Sequence, residues 1–198
     1  MTTPMGDEPR KPSAGKSRAP RKVTAKSLEN AALFYLERFA TSSANLRRVL
    51  MRRVERSARL HDTDPAEGAA WIDALIAKLE RLDLLDDAQY AEARVRSLRR
   101  AGASRRAIAL RLRQKGVGGD IIDAALAAAA EIEEEPERAA AVRLARKRRL
   151  GPYRPADARR DNRERDLAAL ARAGFSYDMA LAVIDAEGVE ELEGEGAL

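Results

Sequence analysis

Leu84-Leu85-Asp86-Asp87-Ala88-Gln89-Tyr90-Ala91 and, behind it, Leu110-Arg111-Leu112-Arg113-Gln114-Lys115-Gly116-Val117 decide how this chain folds. Asp86 stands where a helix N-cap belongs, and Gln89 three residues on completes a capping box. Asp87 falls in the first turn, where a negative charge favours the helix dipole. Ala91, Val95 and Leu98 then share one face as far as Arg100, with Glu92, Arg96, Arg99 and Arg100 on the other. Gly102 and Ser104 supply a turn and the next cap. Ile108 and Leu112 anchor a helix over 104–115, along whose flank Arg106 and Arg113 lie seven residues apart. Gly116 suits a left-handed C-cap, and Ile121, Ile122, Ala125, Leu126 and Ala129 pattern a third helix. The product is a unit of three short helices.

The same pattern extends to both sides. Upstream, Ser27 is a plausible cap for a helix to about Ala40, and Thr41-Ser42-Ser43 opens a second helix from Ala44 to about Leu60. Asp64, Pro65 and Glu67 then make a strong start for a third helix bearing Trp71, Ile72, Leu75 and Leu79. Downstream, an acidic hinge around Pro136 leads into a basic helix, Arg138 to Arg149. Gly151-Pro152-Tyr153-Arg154-Pro155 is a turn, a helix over Ala156–Ala173 stops at Gly174, and Ser176 caps a last one. Leu112, Gly116, Val117, Asp120, Ile121, Ala125 and Leu126 match Leu170, Gly174, Phe175, Asp178, Met179, Val183 and Ile184, each displaced by the same 58 residues. The expected fold is all-α, three tandem three-helix, helix-turn-helix-like repeats in an elongated, curved array. The expected boundaries are 1–26, a disordered basic arm; 27–85, the first repeat, with an insertion near 59–68; 86–134 and 135–187, the second and third; and 188–198, a disordered acidic tail.

Composition narrows the chemistry. Of 198 residues 35% are charged and only 4% aromatic, which favours thin helical layers over one thick core. Charge is segregated: residues 1–26 hold seven Lys and Arg, and residues 185–198 hold six acids and no base. There is no cysteine, so disulfides and thiolate metal sites are excluded. No apolar run approaches the roughly 20 residues of a membrane helix, and no apolar segment follows the basic N-terminus to make a secretory signal. A cytoplasmic protein is expected.

The candidate functional surface is basic. Between Arg94 and Gly119 there are nine Arg and Lys and no acid, so these helices lack the carboxylates that would pair them internally. Arg96, Arg99, Arg100, Arg105, Arg106, Arg111, Arg113 and Lys115 are the candidates for a polyanion or an acidic partner, with Arg146, Lys147, Arg148 and Arg149 as a second cluster. Taken singly, each is also readable as a solvated charge. Tyr90 and Tyr153 are expected in packing more than in stacking on bases, and Trp71 in the core. Enzyme chemistry finds no footing: the lone His61 lies in a polar insertion, Asp86 and Asp87 read as helix-start residues, and neither a cofactor nor a metal is expected.

Leu84-Leu85-Asp86-Asp87 with Tyr90-Ala91, Gly102, Leu110-Arg111 and Lys115-Gly116-Val117 resembles the RecX family of recombination regulators. Arg165, Leu170, Arg172 and Gly174-Phe175-Ser176 resemble that family's final repeat. The resemblance spans roughly 27–187. It implies a monomer that binds the RecA recombinase filament on single-stranded DNA, spans neighbouring protomers, and lowers strand exchange, ATP hydrolysis and co-protease activity while shortening the filament. The alternative is a stand-alone DNA-binding protein with tandem helix-turn-helix-like units. The helices 121–130 and 177–185 hold few side chains suited to reading bases, which weighs against that alternative.

Overall fold

The computed structural model describes residues 21–132 and 135–193. Ten α-helices run along them in order: α1 (Ala25–Leu36), α2 (Ser43–His61), α3 (Pro65–Arg81), α4 (Asp87–Arg100), α5 (Arg105–Gln114), α6 (Gly119–Ala130), α7 (Pro136–Arg148), α8 (Ala156–Arg172), α9 (Tyr177–Ile184) and α10 (Val189–Glu193). A single 3-10 turn, Gly151–Tyr153, joins α7 to α8, and no strand occurs among the described residues.

Local chemistry sets most of the helix starts. The side chains of Asp64, Asp86, Ser104 and Ser176 each accept a backbone N–H of the first turn, and Pro65 opens α3. The first helix departs from the expected start at Ser27. Thr24 is its N-cap, and Ser27 is the reciprocal partner of the capping box. His61 is the last residue of α2, within the helix and not in a loop, and Asp62 ends that helix in the left-handed region at φ 52°. Asp tolerates that region through its short polar side chain. An aspartate therefore does in the first unit what Gly116 (φ 80°) and Gly174 (φ 94°) do in the others.

Three apolar cores follow one another, each built from consecutive helices. Leu28, Leu46, Leu50, Val54, Ile72 and Leu79 fill the first, with Trp71 packed half-buried at its edge. Val95, Ile108, Leu112, Ile122 and Leu126, with Tyr90, fill the second. Ala140, Ala141, Leu144, Leu167, Leu170, Phe175 and Val183 fill the third. Full burial of each large aliphatic side chain contributes about 1.5–3 kcal/mol. In the third unit a buried ion pair adds a polar anchor. Asp166, 1% exposed, accepts the Gly151 N–H at 2.9 Å and the Arg154 Nε and guanidinium nitrogen at 2.7 and 2.8 Å.

The units are joined in series by the same device used twice. At the start of α2, the Ser42 hydroxyl donates to the Lys115 carbonyl at the end of α5, while the Ser43 N–H donates to the Asp87 carboxylate at the start of α4. At the start of α5, the Ser104 hydroxyl donates to the Ala173 carbonyl at the end of α8. The Arg105 N–H likewise donates to the Glu137 carboxylate at the start of α7. Each serine also accepts a first-turn N–H of its own helix, so both capacities of the hydroxyl are used. The C-terminus of one middle helix thus meets the N-terminus of the preceding one, bringing the negative end of one helix dipole to the positive end of the other. Both C′ glycines lie at these joints, where a side chain has no room. A Cβ on Gly116 would meet Ala44 Cβ, and one on Gly174 would stand 2.7 Å from Ser104 Oγ. Every substantial helix–helix packing is either within a unit or between α4 and α7.

The two termini are more ordered than expected where they are described. The Val23 N–H donates to Ser57 Oγ, and α1 begins inside the expected arm; residues 1–20 lie outside the described residues. At the other end α10 replaces part of the expected disordered tail: Leu192 is buried, and Arg138 donates to the Glu191 and Leu192 carbonyls. Residues 194–198, and Glu133 and Glu134 of the acidic hinge, lie outside the described residues.

Candidate functional site

The exposed faces of α4 and α5 carry Arg96, Arg100, Arg105, Arg106, Arg111, Arg113 and Lys115. Arg96 reaches back to Glu92 at 3.5 Å. For Arg100, Arg106, Arg111 and Arg113 no acidic partner occurs among the described residues. Lys115 approaches Asn45 Oδ1 at 3.5 Å and belongs in part to the joint with the first unit.

Two expectations about this surface are corrected. Arg99 does not lie on the outer face with Arg96 and Arg100; it is 6% exposed. Helix α7 crosses the last turn of α4, where Gly102 lets it approach, and Arg143 Nε donates to the Arg99 carbonyl at 3.1 Å. The stretch is acid-free in sequence but not in space. The Arg105 guanidinium faces Asp123 of α6 at 3.7 Å, and its backbone N–H donates to Glu137 of α7, so two acids from other elements stand beside it.

The second cluster, Arg146, Lys147, Arg148 and Arg149, projects from the end of α7, and Arg149 closes that helix at φ 53°. The chain's own acidic end meets part of it. Glu193 of α10 accepts the Tyr153 hydroxyl at 2.6 Å and stands 3.5 Å from Arg146. Burial, reinforced by the Glu193 carboxylate, pushes the Tyr153 phenol well above its ordinary pKa. Tyr153 is therefore a packing residue, as is Tyr90 in the second core.

A third basic row escapes the sequence reading. Helix α2 carries six Arg and one acid between Arg47 and Arg59. Arg48, Arg52, Arg56 and Arg59 follow helical spacing down one side and are exposed. Arg48 donates to the Gln114 carbonyl at 3.3 Å, which sets the head of this row against the end of α5. Like charges at that spacing cost a few tenths of a kcal/mol each and gain nothing locally. The density of Arg at i, i+4 intervals is the signal that could have found them.

What this surface offers chemically is a set of exposed guanidinium and ammonium groups. Among the described residues no group of three or more His, Cys, Asp or Glu is placed to hold a metal ion, and no helix is long and apolar enough to cross a membrane. The concavities are open clefts, several rimmed by arginine. What the fold and surface define is a serial all-helical protein with basic faces distributed over more than one unit.

Relatives carry the assignment further. The family model for the RecX second three-helix domain matches residues 86–126. The chain is 48% identical over 187 residues to the regulatory protein RecX of Myxococcus xanthus (strain DK1622), covering 93% of this chain and 98% of that one. It is 34% identical over 155 residues to the regulatory protein RecX of Agrobacterium fabrum, covering 78% and 80%. The crystal structure of RecX from Lactobacillus salivarius superposes with a TM-score of 0.59 at 27% identity, over 81% of this chain and 94% of that one. The chain belongs to the RecX family.

Proposed function

We propose that this protein binds the RecA recombinase filament on single-stranded DNA and inhibits it, lowering ATP hydrolysis, strand exchange and co-protease activity. Membership of the RecX family supports this reading. The structural observation that carries it is the row of cations with no acidic partner among the described residues: Arg100, Arg106, Arg111 and Arg113 in the second unit, continued by Arg48, Arg52 and Arg56 in the first. Such a row suits a partner that repeats its charges, because several weak contacts made together give avidity, and each phosphate met releases counterions. The protein acts as a monomer in the cytoplasm, where a filament groove contacts several units at once. The competing reading, a stand-alone duplex reader, is disfavoured by the third helices. The exposed residues of α6 include Asp120, Asp123 and several alanines, and those of α9 include Asp178, none of which is a donor for base edges.

The test is a titration of this protein into RecA hydrolysing ATP on single-stranded DNA. Inhibition at ratios from substoichiometric to near-equal is expected. ATP hydrolysis and strand exchange that stay untouched across a wide titration would overturn the proposal, and strong sequence-selective duplex binding in moderate salt would install the alternative.

A further inference from the structure

Arg99 is the one side chain whose buried donors, Nε and one terminal nitrogen, have no hydrogen-bond partner among the described residues. A guanidinium has five donors and cannot shed its charge, and buried charges are normally paired. Its burial arises at the junction of the second and third units, where α7 packs over the end of α4. Two clefts meet at it. The larger, of about 560 Å³, includes Asp123 and Glu137, already engaged with Arg105. The smaller, of about 320 Å³, is lined by Arg96, Arg99, Arg100, Ala129, Ile132 and Arg143, with no acid among its described residues.

We propose that Arg99 forms the floor of an anion-binding site in the smaller cleft, and that the anion is a phosphodiester group of single-stranded DNA. The inference rests on the single-stranded DNA contact in the function proposed above. The planar fork of a guanidinium matches two oxygens of a phosphate. Arg96 and Arg100 on the rim offer further cations at the spacing of a polymer, more than one carboxylate would neutralise. Ala129 and Ile132 give an apolar wall for a sugar or base. The site exists only while α4 and α7 stay packed, so occupancy also tightens the joint between the two units.

The full chain, Arg99→Met and Arg99→Lys are compared in phosphate-free buffer by thermal unfolding, with and without inorganic phosphate, and by anisotropy of a labelled oligothymidylate. Met keeps the aliphatic stem and removes the unmatched charge. Arg99→Met is expected to melt at or above the wild-type temperature and to lose the phosphate-induced rise. Its oligonucleotide affinity falls about ten- to hundredfold, the factor carried by a charged hydrogen bond, and the salt slope drops by about one. Lys restores part of the affinity. The exposed Arg100→Met keeps the wild-type melting temperature and shows a smaller loss. Wild-type affinity and slope in Arg99→Met would overturn the proposal, as would a lowered melting temperature with binding reduced only in proportion to unfolding. Retained oligonucleotide and phosphate binding with abolished RecA inhibition would assign the cleft to a carboxylate of the protein partner and also overturn it. If wild-type protein failed to inhibit RecA while Arg99-dependent oligonucleotide binding persisted, the proposed function would fall and this site would stand.

Discussion

The Ser104 hydroxyl stands 2.7 Å from the carbonyl oxygen of Ala173, sixty-nine residues further along the chain. One side chain caps α5 and at the same time satisfies the terminal carbonyl of α8. Ser104→Ala removes the cap, worth about 1 kcal/mol, and leaves a half-buried carbonyl without its donor, about 1 kcal/mol more. Ser176 caps α9 with the same geometry but forms no hydrogen bond across a joint, so Ser176→Ala costs only about 1 kcal/mol. Urea denaturation of the two variants checks this, and equal losses would refute the joint's contribution.

Glycine matters where the backbone demands it. Gly102 has φ 79°, and a Cβ there would lie 2.8 Å from the Leu144 backbone nitrogen and 3.1 Å from the Ala140 carbonyl oxygen. Neither atom can yield without moving α7. Gly102→Ala is expected to destabilise by about 3 kcal/mol through a strained backbone and an overpacked joint. Gly119, at the first turn of α6, has nothing within 4 Å of a built Cβ, and Gly119→Ala should raise stability by about 0.5 kcal/mol. The sign difference in chemical denaturation is the readout.

Asp166 sets an acid limit for the third unit. Burial alone would raise its pKa, but the Arg154 guanidinium and the Gly151 N–H outweigh burial and hold it below the ordinary 3.8. A carboxyl whose folded pKa lies below its unfolded one contributes fully above about pH 4 and forfeits that contribution as pH falls through the folded value. Asp166→Asn is expected to cost about 3 kcal/mol at neutral pH by leaving Arg154 without its buried partner. Melting curves of wild type and variant should converge as pH drops below about 4; a gap independent of pH would sink the assignment.

Charge reversal at Arg106 and Arg113 should weaken filament binding with unchanged circular dichroism, and reversal at Arg52 and Arg56 should do the same from the first unit. Each phosphate that the altered surface no longer neutralises lowers the slope of log affinity against log salt by about one. Arg105→Glu behaves differently, because the new carboxylate would stand beside Asp123 and near Glu137, which holds the Arg105 backbone N–H: like-charge repulsion adds a loss of stability. Unchanged affinity and slope in the Arg106/Arg113 variant would remove those residues from the interface.

How much of the fold and surface is legible in the sequence depends on range. Caps such as Asp64, Asp86, Ser104 and Ser176 act within one turn, so helix starts can be read directly. Thr24 and Ser27 are both capping residues, and periodicity alone does not say which is the cap and which its partner. Arg99 reads as an outer-face residue because its own helix places it there; the helix that covers it brings Arg143 from forty-four residues downstream. The acids that meet Arg105 and Arg146 likewise come from other elements. The seating of α10 against Arg138 is hidden because an acid-rich stretch reads as solvated, although Leu192 supplies an apolar anchor.

The cap of α8 departs from the other two middle helices. It is Pro155, which has neither hydroxyl nor backbone N–H and makes no side-chain cap bond. Ser42 and Ser104 each offer a hydroxyl to the unit that follows; Pro155 offers nothing. Among the described residues the serine joint is therefore used twice, and the third middle helix begins without one.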